Sequence, residues 1–140
     1  MSFSIAGKTA VVTGAANGVG LAIARHFLEN GANVMFADID EQRLCDECGE
    51  IQDDDGRSRS FAGDLRQKLT VANLLSATID AFDRVDILVN ASRQMLPSDP
   101  LDADDDTVET LLQQNLMTAL RLSQVFARRM IKQAREAEQT

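Results

Sequence analysis

Three glycines, Gly14, Gly18 and Gly20, close the stretch V-V-T-G-A-A-N-G-V-G that runs from Val11 to Gly20. An apolar run, Thr9 to Val12, leads into them, and an amphipathic pattern starts directly behind them. This is the order of a strand, a tight turn and a helix N-terminus. Such a turn gathers bare backbone N–H groups and the positive end of a helix dipole at one place, which suits a phosphate. A side chain at any of the three positions would obstruct the turn, the approach of a pyrophosphate, or the packing of helix on strand. Two carboxylates and an amide, Asp38, Asp64 and Asn90, each follow a later apolar run. An acid about 20 residues beyond such a loop can accept hydrogen bonds from the ribose hydroxyls of an adenosine. The combination points to a dinucleotide site, with the glycine spacing G-x-x-x-G-x-G.

These residues need a scaffold that brings strand ends together. Lys8 to Thr13 reads as a first strand, with Ala10, Val11 and Val12 continuous and therefore buried on both faces. The first helix is expected over Gly18 to Asn30, with Val19, Ala22, Ile23 and Phe27 as its apolar stripe and Gly31 as its stop. Asn33 to Ala37 forms the second strand and ends at Asp38, while Asp40 to Ile51 forms a charged second helix that Asp40 could cap. Arg59 to Ala62 is the third strand, with Gly63 and Asp64 behind it. A third helix follows, with Val71, Leu74, Leu75, Thr78, Ile79 and Phe82 on one stripe. Val85 to Val89 reads as a central fourth strand ending at Asn90, and Leu96 to Asp106 is a loop broken by Pro97 and Pro100.

One long helix is expected from Thr107 onward, with Val108, Leu111, Leu112, Ala119, Leu122 and Phe126 on its apolar stripe and a polar end after Met130. Asn115 falls on that stripe. A buried amide without partners costs roughly 1–3 kcal/mol, so Asn115 is expected to bond within the core. The alternation βαβαβαβα predicts an α/β fold: a Rossmann-type doubly wound parallel sheet, strand order 3-2-1-4, in a three-layer αβα sandwich. There is no linker or repeat, so residues 1–140 read as one domain. Gly14, Asp38, Asp64 and Asn90 then share the carboxyl rim of the sheet, where such folds bind ligands.

Composition excludes other classes. A net charge of −8 disfavours nucleic acid and anionic membrane as partners. No apolar run approaches a membrane span and the N-terminus carries no signal-peptide pattern, so the expected location is cytoplasmic. One histidine, His26, leaves no multi-histidine metal site, and no metal is expected. Cys45 and Cys48 form C-x-x-C among Asp46, Glu47 and Glu50, acids that disfavour a thiolate; one packed and one partly exposed thiol are expected. Asp53 to Gly56 reads as a solvated acidic turn without calcium-loop spacing.

The segments T-G-A-A-N-G-V-G, A-D-I at Asp38, G-D-L at Asp64, D-I-L-V-N at Asn90 and Q-N-L at Asn115 match in order and spacing. The chain therefore resembles the N-terminal half of a short-chain dehydrogenase/reductase. That resemblance implies an NAD-dependent oxidoreductase moving a hydride between nicotinamide and a small alcohol or carbonyl substrate. It implies that Gly14, Asn17, Gly18, Val19 and Gly20 line the pyrophosphate and nearby ribose, and that Asp38 holds the adenosine ribose. It places Asp64 and the Leu65 backbone at the adenine and Asn90 beside the cofactor. It also gives Asn115 a relay role, its backbone carbonyl holding a water.

Two departures stand out. Asn90-Ala91-Ser92-Arg93 replaces the family's N-N-A-G, which leaves Arg93 open to a substrate-side or a surface role. The family's catalytic serine and its Tyr-x-x-x-Lys pair lie beyond this stretch; the sequence has no tyrosine, and Lys132 has no matching partner. The chain thus reads as the cofactor-binding half. The alternatives are a non-enzymatic nucleotide-binding or oligomerisation module, and one half of a split enzyme. NAD is expected over NADP, because no lysine or arginine directly follows Asp38 to receive a 2′-phosphate. A fourth strand left as an open edge and a half-covered final helix predict completion by more chain, a partner, or a homo-oligomer through the C-terminal helix.

Overall fold

A computed structural model describes residues 3–49 and 56–139. Its elements are β1 (Thr9–Thr13), α1 (Gly18–Glu29), β2 (Asn33–Asp38), α2 (Glu41–Gly49), β3 (Ser58–Ala62), α3 (Lys68–Phe82), β4 (Ile87–Val89), α4 (Thr107–Leu112) and α5 (Thr118–Glu138). A π-helical turn, Gln113–Met117, joins α4 to α5. All strand pairs are parallel and the order is β3-β2-β1-β4, as expected from the alternating pattern.

The two-residue period of the strands divides the core. Val12, Val34 and Phe36 face one side of the sheet and pack with Leu21, Ala24 and Leu28 of α1 and Leu44 and Cys48 of α2. Val11, Met35 and Ala37 face the other side and pack with Val71 and Leu74 of α3 and Leu122 and Phe126 of α5. Alternate residues of a strand point to opposite faces, so a continuous apolar run such as Ala10-Val11-Val12 must feed two cores. This is the three-layer αβα arrangement.

Helix ends follow ordinary chemistry. Gly31, at φ +88, ends α1, and Arg57 donates from Nη1 to Leu28 O (2.9 Å) and Ala32 O (3.2 Å), satisfying carbonyls at that end. Asp83, at φ +69, ends α3 with its N–H on Ile79 O at 2.7 Å. Gln133 of α5 treats the start of the fourth strand as a neighbour. Its Oε1 accepts from Val85 N (3.0 Å) and its Nε2 donates to Val85 O (2.7 Å), pairing that residue as another strand would.

The structure departs from the sequence reading in three places. On α1 the buried residues are Gly20, Leu21, Ala24 and Leu28, whereas Val19 is 70% exposed. Ile23 and Phe27 of the expected stripe are partly buried and pack against the same core, and the close approach of Gly20 to the loop before it centres the buried face on Leu21, Ala24 and Leu28. The fourth strand is shorter than expected, although, as the order 3-2-1-4 implies, it is an edge among the described strands and pairs with β1. Just before it, Asp86 bonds Thr9 in both directions, its N–H donating to Thr9 O (2.8 Å) and its Oδ2 accepting from Thr9 N (2.9 Å), so a side-chain oxygen stands in for a backbone carbonyl. The final helix is interrupted by the π turn, which puts an extra residue into the repeat and shifts its register. Leu122 and Phe126 are buried beyond the turn, but Val108 and Leu112 before it are exposed. The acidic turn expected at Asp53 to Gly56 lies, except for Gly56, outside the described residues.

Asp86 links this edge to acid stability. Burial pushes its carboxyl upward, but hydrogen bonds from the Arg84 guanidinium and the Thr9 N–H, with the charges of Arg84 and Lys8, outweigh that and hold it below the usual carboxylate range. A carboxyl depressed on folding stabilises the protein above its unfolded value of about 3.9 and loses that contribution as pH falls through the folded value. The stability gap between the wild type and Asp86→Asn is therefore expected to narrow in urea titrations from pH 6 down to pH 2. A gap that stays constant with pH would overturn this assignment.

Candidate functional site

The carboxyl ends of β1, β2 and β3 and the segment after β4 converge on one cleft of about 350 Å3. That is the size of a small-molecule site, which starts at roughly 300 Å3. Gly14, Asn17, Gly18, Val19 and Gly20 line it from the β1–α1 loop, Asp38 and Ile39 from the end of β2, and Gly63, Asp64 and Leu65 from the end of β3. Ala91, Ser92 and Arg93 line it from the segment after β4, and Gln114 from the π turn.

The loop is anchored to the end of β2. Ala15 N donates to Ala37 O (3.1 Å) and Ala16 N donates to Asp38 Oδ2 (3.1 Å). Asn17 enters α1 in extended backbone and makes no side-chain cap, and the first turn carries no acid. The first N–H groups of a helix have no partner within it. Here no side chain of the helix start takes them, so the positive end of α1 opens into the cleft. Packing fixes the approach: a Cβ on Gly20 would lie 2.2 Å from Gly14 O, and one on Gly14 would lie 2.8 Å from Ala91 O and the Ser92 backbone. Gly18 differs, because a Cβ there meets nothing within 4 Å, although its φ is +56.

Two carboxylates stand on the rim. Asp38 uses Oδ2 on the loop and Oδ1 on Asp40 N (3.0 Å). Capping of α2 falls to Asp40, whose Oδ1 accepts from Arg43 N at 3.0 Å, so Asp38 remains at the cleft. The Asp38 carbonyl also accepts from Gly63 N (3.0 Å), which ties the ends of β2 and β3 together. Asp64 is gripped by Arg66, with Nε at 2.9 and 3.1 Å and Nη2 at 2.8 Å. The hydrogen bond from that guanidinium holds the Asp64 carboxyl below the usual carboxylate range.

Asn90 and Asn115 do not line the cleft. Asn90 is exposed and donates from Nδ2 to Ser123 Oγ of α5 at 3.2 Å. Asn115 is also exposed, in the π turn, and not within the core as its place on the stripe suggested. Its amide still finds two partners: Oδ1 accepts from Gln94 N (2.7 Å) and Nδ2 donates to Gln94 O (2.9 Å). The π turn rotates Asn115 out of the helical stripe and onto the segment after β4. Thr13 was missed as a positioning residue. Its buried hydroxyl donates to Val89 O (3.3 Å) and accepts from Ala91 N (3.2 Å) and Ser92 N (3.3 Å), pinning that segment against the glycine loop. The one available signal was a hydroxyl at the end of an otherwise apolar strand. For Gln114 the sequence carried no signal.

The described residues lining the cleft include no histidine, lysine, cysteine or tyrosine. The arrangement can bind and orient a phosphate-bearing ligand and offers no acid–base pair. The two cysteines lie elsewhere: Cys45 is exposed and Cys48 is buried, both unbridged. Burial, aided by Cys45 and Glu47, pushes the Cys48 thiol up to about 11, which leaves it unreactive near neutral pH. Among the described residues no helix is long and apolar enough to cross a membrane.

Against known proteins, the short chain dehydrogenase family profile matches residues 8–137. The short chain dehydrogenase/reductase dpchG of Colletotrichum higginsianum is 33% identical over 137 residues, which is 97% of this chain and 51% of that protein. The D-threitol dehydrogenase of Mycolicibacterium smegmatis is 31% identical over 132 residues, 93% of this chain and 50% of its own length. A short chain dehydrogenase/reductase from Burkholderia phymatum, solved in complex with NAD, superposes with a TM-score of 0.87 at 26% identity, covering 94% of this chain and 47% of that one. The 3-ketoacyl-(acyl-carrier-protein) reductase of Brucella melitensis, complexed with NADH, superposes with a TM-score of 0.85 at 25% identity, covering 96% of this chain and 55% of that one. The chain thus spans about half the length of the curated relatives it matches.

Proposed function

The chain belongs to the short-chain dehydrogenase/reductase family, and from that premise we propose that it is the N-terminal, cofactor-binding portion of an NAD-dependent oxidoreductase acting on an alcohol or carbonyl carbon. The observation that carries this reading is the uncapped start of α1, opening beside Gly14, Gly18 and Gly20 into a ligand-sized cleft. When bound, the nicotinamide dinucleotide supplies hydride transfer; the protein supplies binding and orientation.

The N–H groups at the start of α1, with Asn17, Gly18 and Val19 around them, receive the pyrophosphate. Asp38 accepts from the adenosine ribose hydroxyls, and Asp64 with the Leu65 backbone bounds the adenine. Asn90 acts beside the cofactor through the segment it begins. Asn115 positions that segment through Gln94 and offers its backbone carbonyl to a relay water. NAD is preferred over NADP because Asp38 carries a negative charge where a 2′-phosphate would sit. Self-association through the C-terminal helical region belongs to the same reading. It is supported by Leu112, Leu116 and Leu120, four residues apart and 52%, 57% and 46% exposed.

The test is a fluorescence titration with NADH, followed by NADH oxidation over a panel of small aldehydes and ketones. Saturable NADH binding without turnover is expected of this chain. Absence of NADH binding would remove the cofactor site, and turnover would refute the assignment of the chain to a binding portion. A second reading is a nucleotide-binding module without catalysis, or half of a split enzyme. Co-purification of a second polypeptide that restores turnover would select the split enzyme.

A further inference from the structure

We propose that Arg93 is the cation that receives the pyrophosphate of the dinucleotide, a reading that rests on the cofactor site proposed above. Arg93 is the one cationic residue among the described residues lining the cleft. Its neighbours on both sides are held by side chains from other elements. Ser92 N donates to Thr13 Oγ1 (3.3 Å), while Asn115 takes both the N–H and the carbonyl of Gln94, at 2.7 and 2.9 Å. The Arg93 guanidinium itself, among the described residues, makes no hydrogen bond or ion pair. A long exposed side chain whose backbone is fixed on both flanks, and whose charge is unspent, is prepared for a ligand.

Charge balance and position identify the ligand atoms. The cleft carries two carboxylates, Asp38 and Asp64, and Arg66 already neutralises Asp64. Without Arg93 a doubly anionic pyrophosphate would face an uncompensated acid and only backbone dipoles. The segment that presents Arg93 abuts the phosphate loop directly, since a Cβ on Gly14 would lie 2.8 Å from Ala91 O and Ser92 N. Arginine is also suited to phosphate, presenting parallel N–H donors in a rigid fork. An anionic oxygen could instead come from a carboxylate-bearing substrate, and nearness to Gly14 favours the phosphate.

The experiment measures NADH, ADP-ribose and adenosine binding to the wild type, Arg93→Gln and Arg93→Lys by calorimetry. Arg93→Gln is expected to weaken NADH and ADP-ribose by roughly ten- to a hundredfold, the loss of one charge-assisted contact, and to leave adenosine unchanged. Arg93→Lys keeps the charge without the fork and should recover part of the loss, and urea midpoints should coincide because the side chain has no partners to lose. Unchanged ADP-ribose affinity in Arg93→Gln would overturn the proposal and leave a substrate carboxylate as the anion. A loss shared by adenosine would overturn it as well, by showing a disturbed site. If the wild type binds none of the three, the cofactor reading itself fails.

Discussion

Gly18→Val is expected to lower NADH affinity by at least about a hundredfold while the protein stays folded. Two or more N–H contacts to charged phosphate oxygens, each contributing about 1.5–3 kcal/mol, account for that size. The fold survives because a Cβ at Gly18 meets no atom within 4 Å. The cost to stability is that of a β-branched residue at φ +56, on the order of 1–2 kcal/mol. The same open space is where a phosphate would sit against the start of α1, so the isopropyl group displaces ligand rather than protein. Gly20 is the wrong place for this test. A side chain there would collide with Gly14 O, and loss of binding would be inseparable from loss of structure. Titration of NADH fluorescence beside a urea melt decides the matter: a folded Gly18→Val protein with unchanged affinity ends the phosphate-loop assignment.

Asp38→Ala is expected to weaken NADH and to erase most of the discrimination against NADPH. Two like charges about 4 Å apart at an effective dielectric near 20 repel by about 4 kcal/mol, nearly three powers of ten in affinity. Removing the carboxylate removes that repulsion. The alanine has a second effect, because Asp38 Oδ2 also accepts from Ala16 N and holds the glycine loop. Asp38→Asn separates the two: its amide oxygen can still accept from Ala16 while the charge is gone. The asparagine variant should therefore relax the NADH to NADPH ratio with a smaller loss of NADH affinity than the alanine. If both variants keep wild-type selectivity, Asp38 is only an anchor for the loop.

What could be read before any coordinates were the quantities that depend on local pattern. Continuous apolar runs at Ala10–Val12 and Val34–Ala37, with helical patterns between them, are enough for a parallel sheet. The right-handed helical crossovers leave few topologies for it, and the dinucleotide-type glycine loop after the first strand favours the order β3-β2-β1-β4 that forms. The glycine spacing and the acids at strand ends were legible because turn geometry demands particular residue types at fixed offsets. Even Asn115 was legible as an amide that had to find partners.

The tertiary structure decided everything that depends on which of two equivalent options packs. On helix α1 the close approach of Gly20 to Gly14 O centres the buried face on Leu21, Ala24 and Leu28, with Ile23 and Phe27 at its edge, and turns Val19 toward the cleft. The π turn at Gln113–Met117 follows from no local propensity. It swings Asn115 onto Gln94 and brings Gln114 to the cleft. Arg93 carries no local signal of its surroundings, because its place depends on Thr13 and Asn115, 80 residues before it and 22 after it in the chain. The sequence by itself determines the fold and the chemical kinds at the rim, since those follow from short-range geometry. Which further side chains join them at the cleft, Arg93 and Gln114 among them, was left to contacts between distant segments, and only the folded chain makes those.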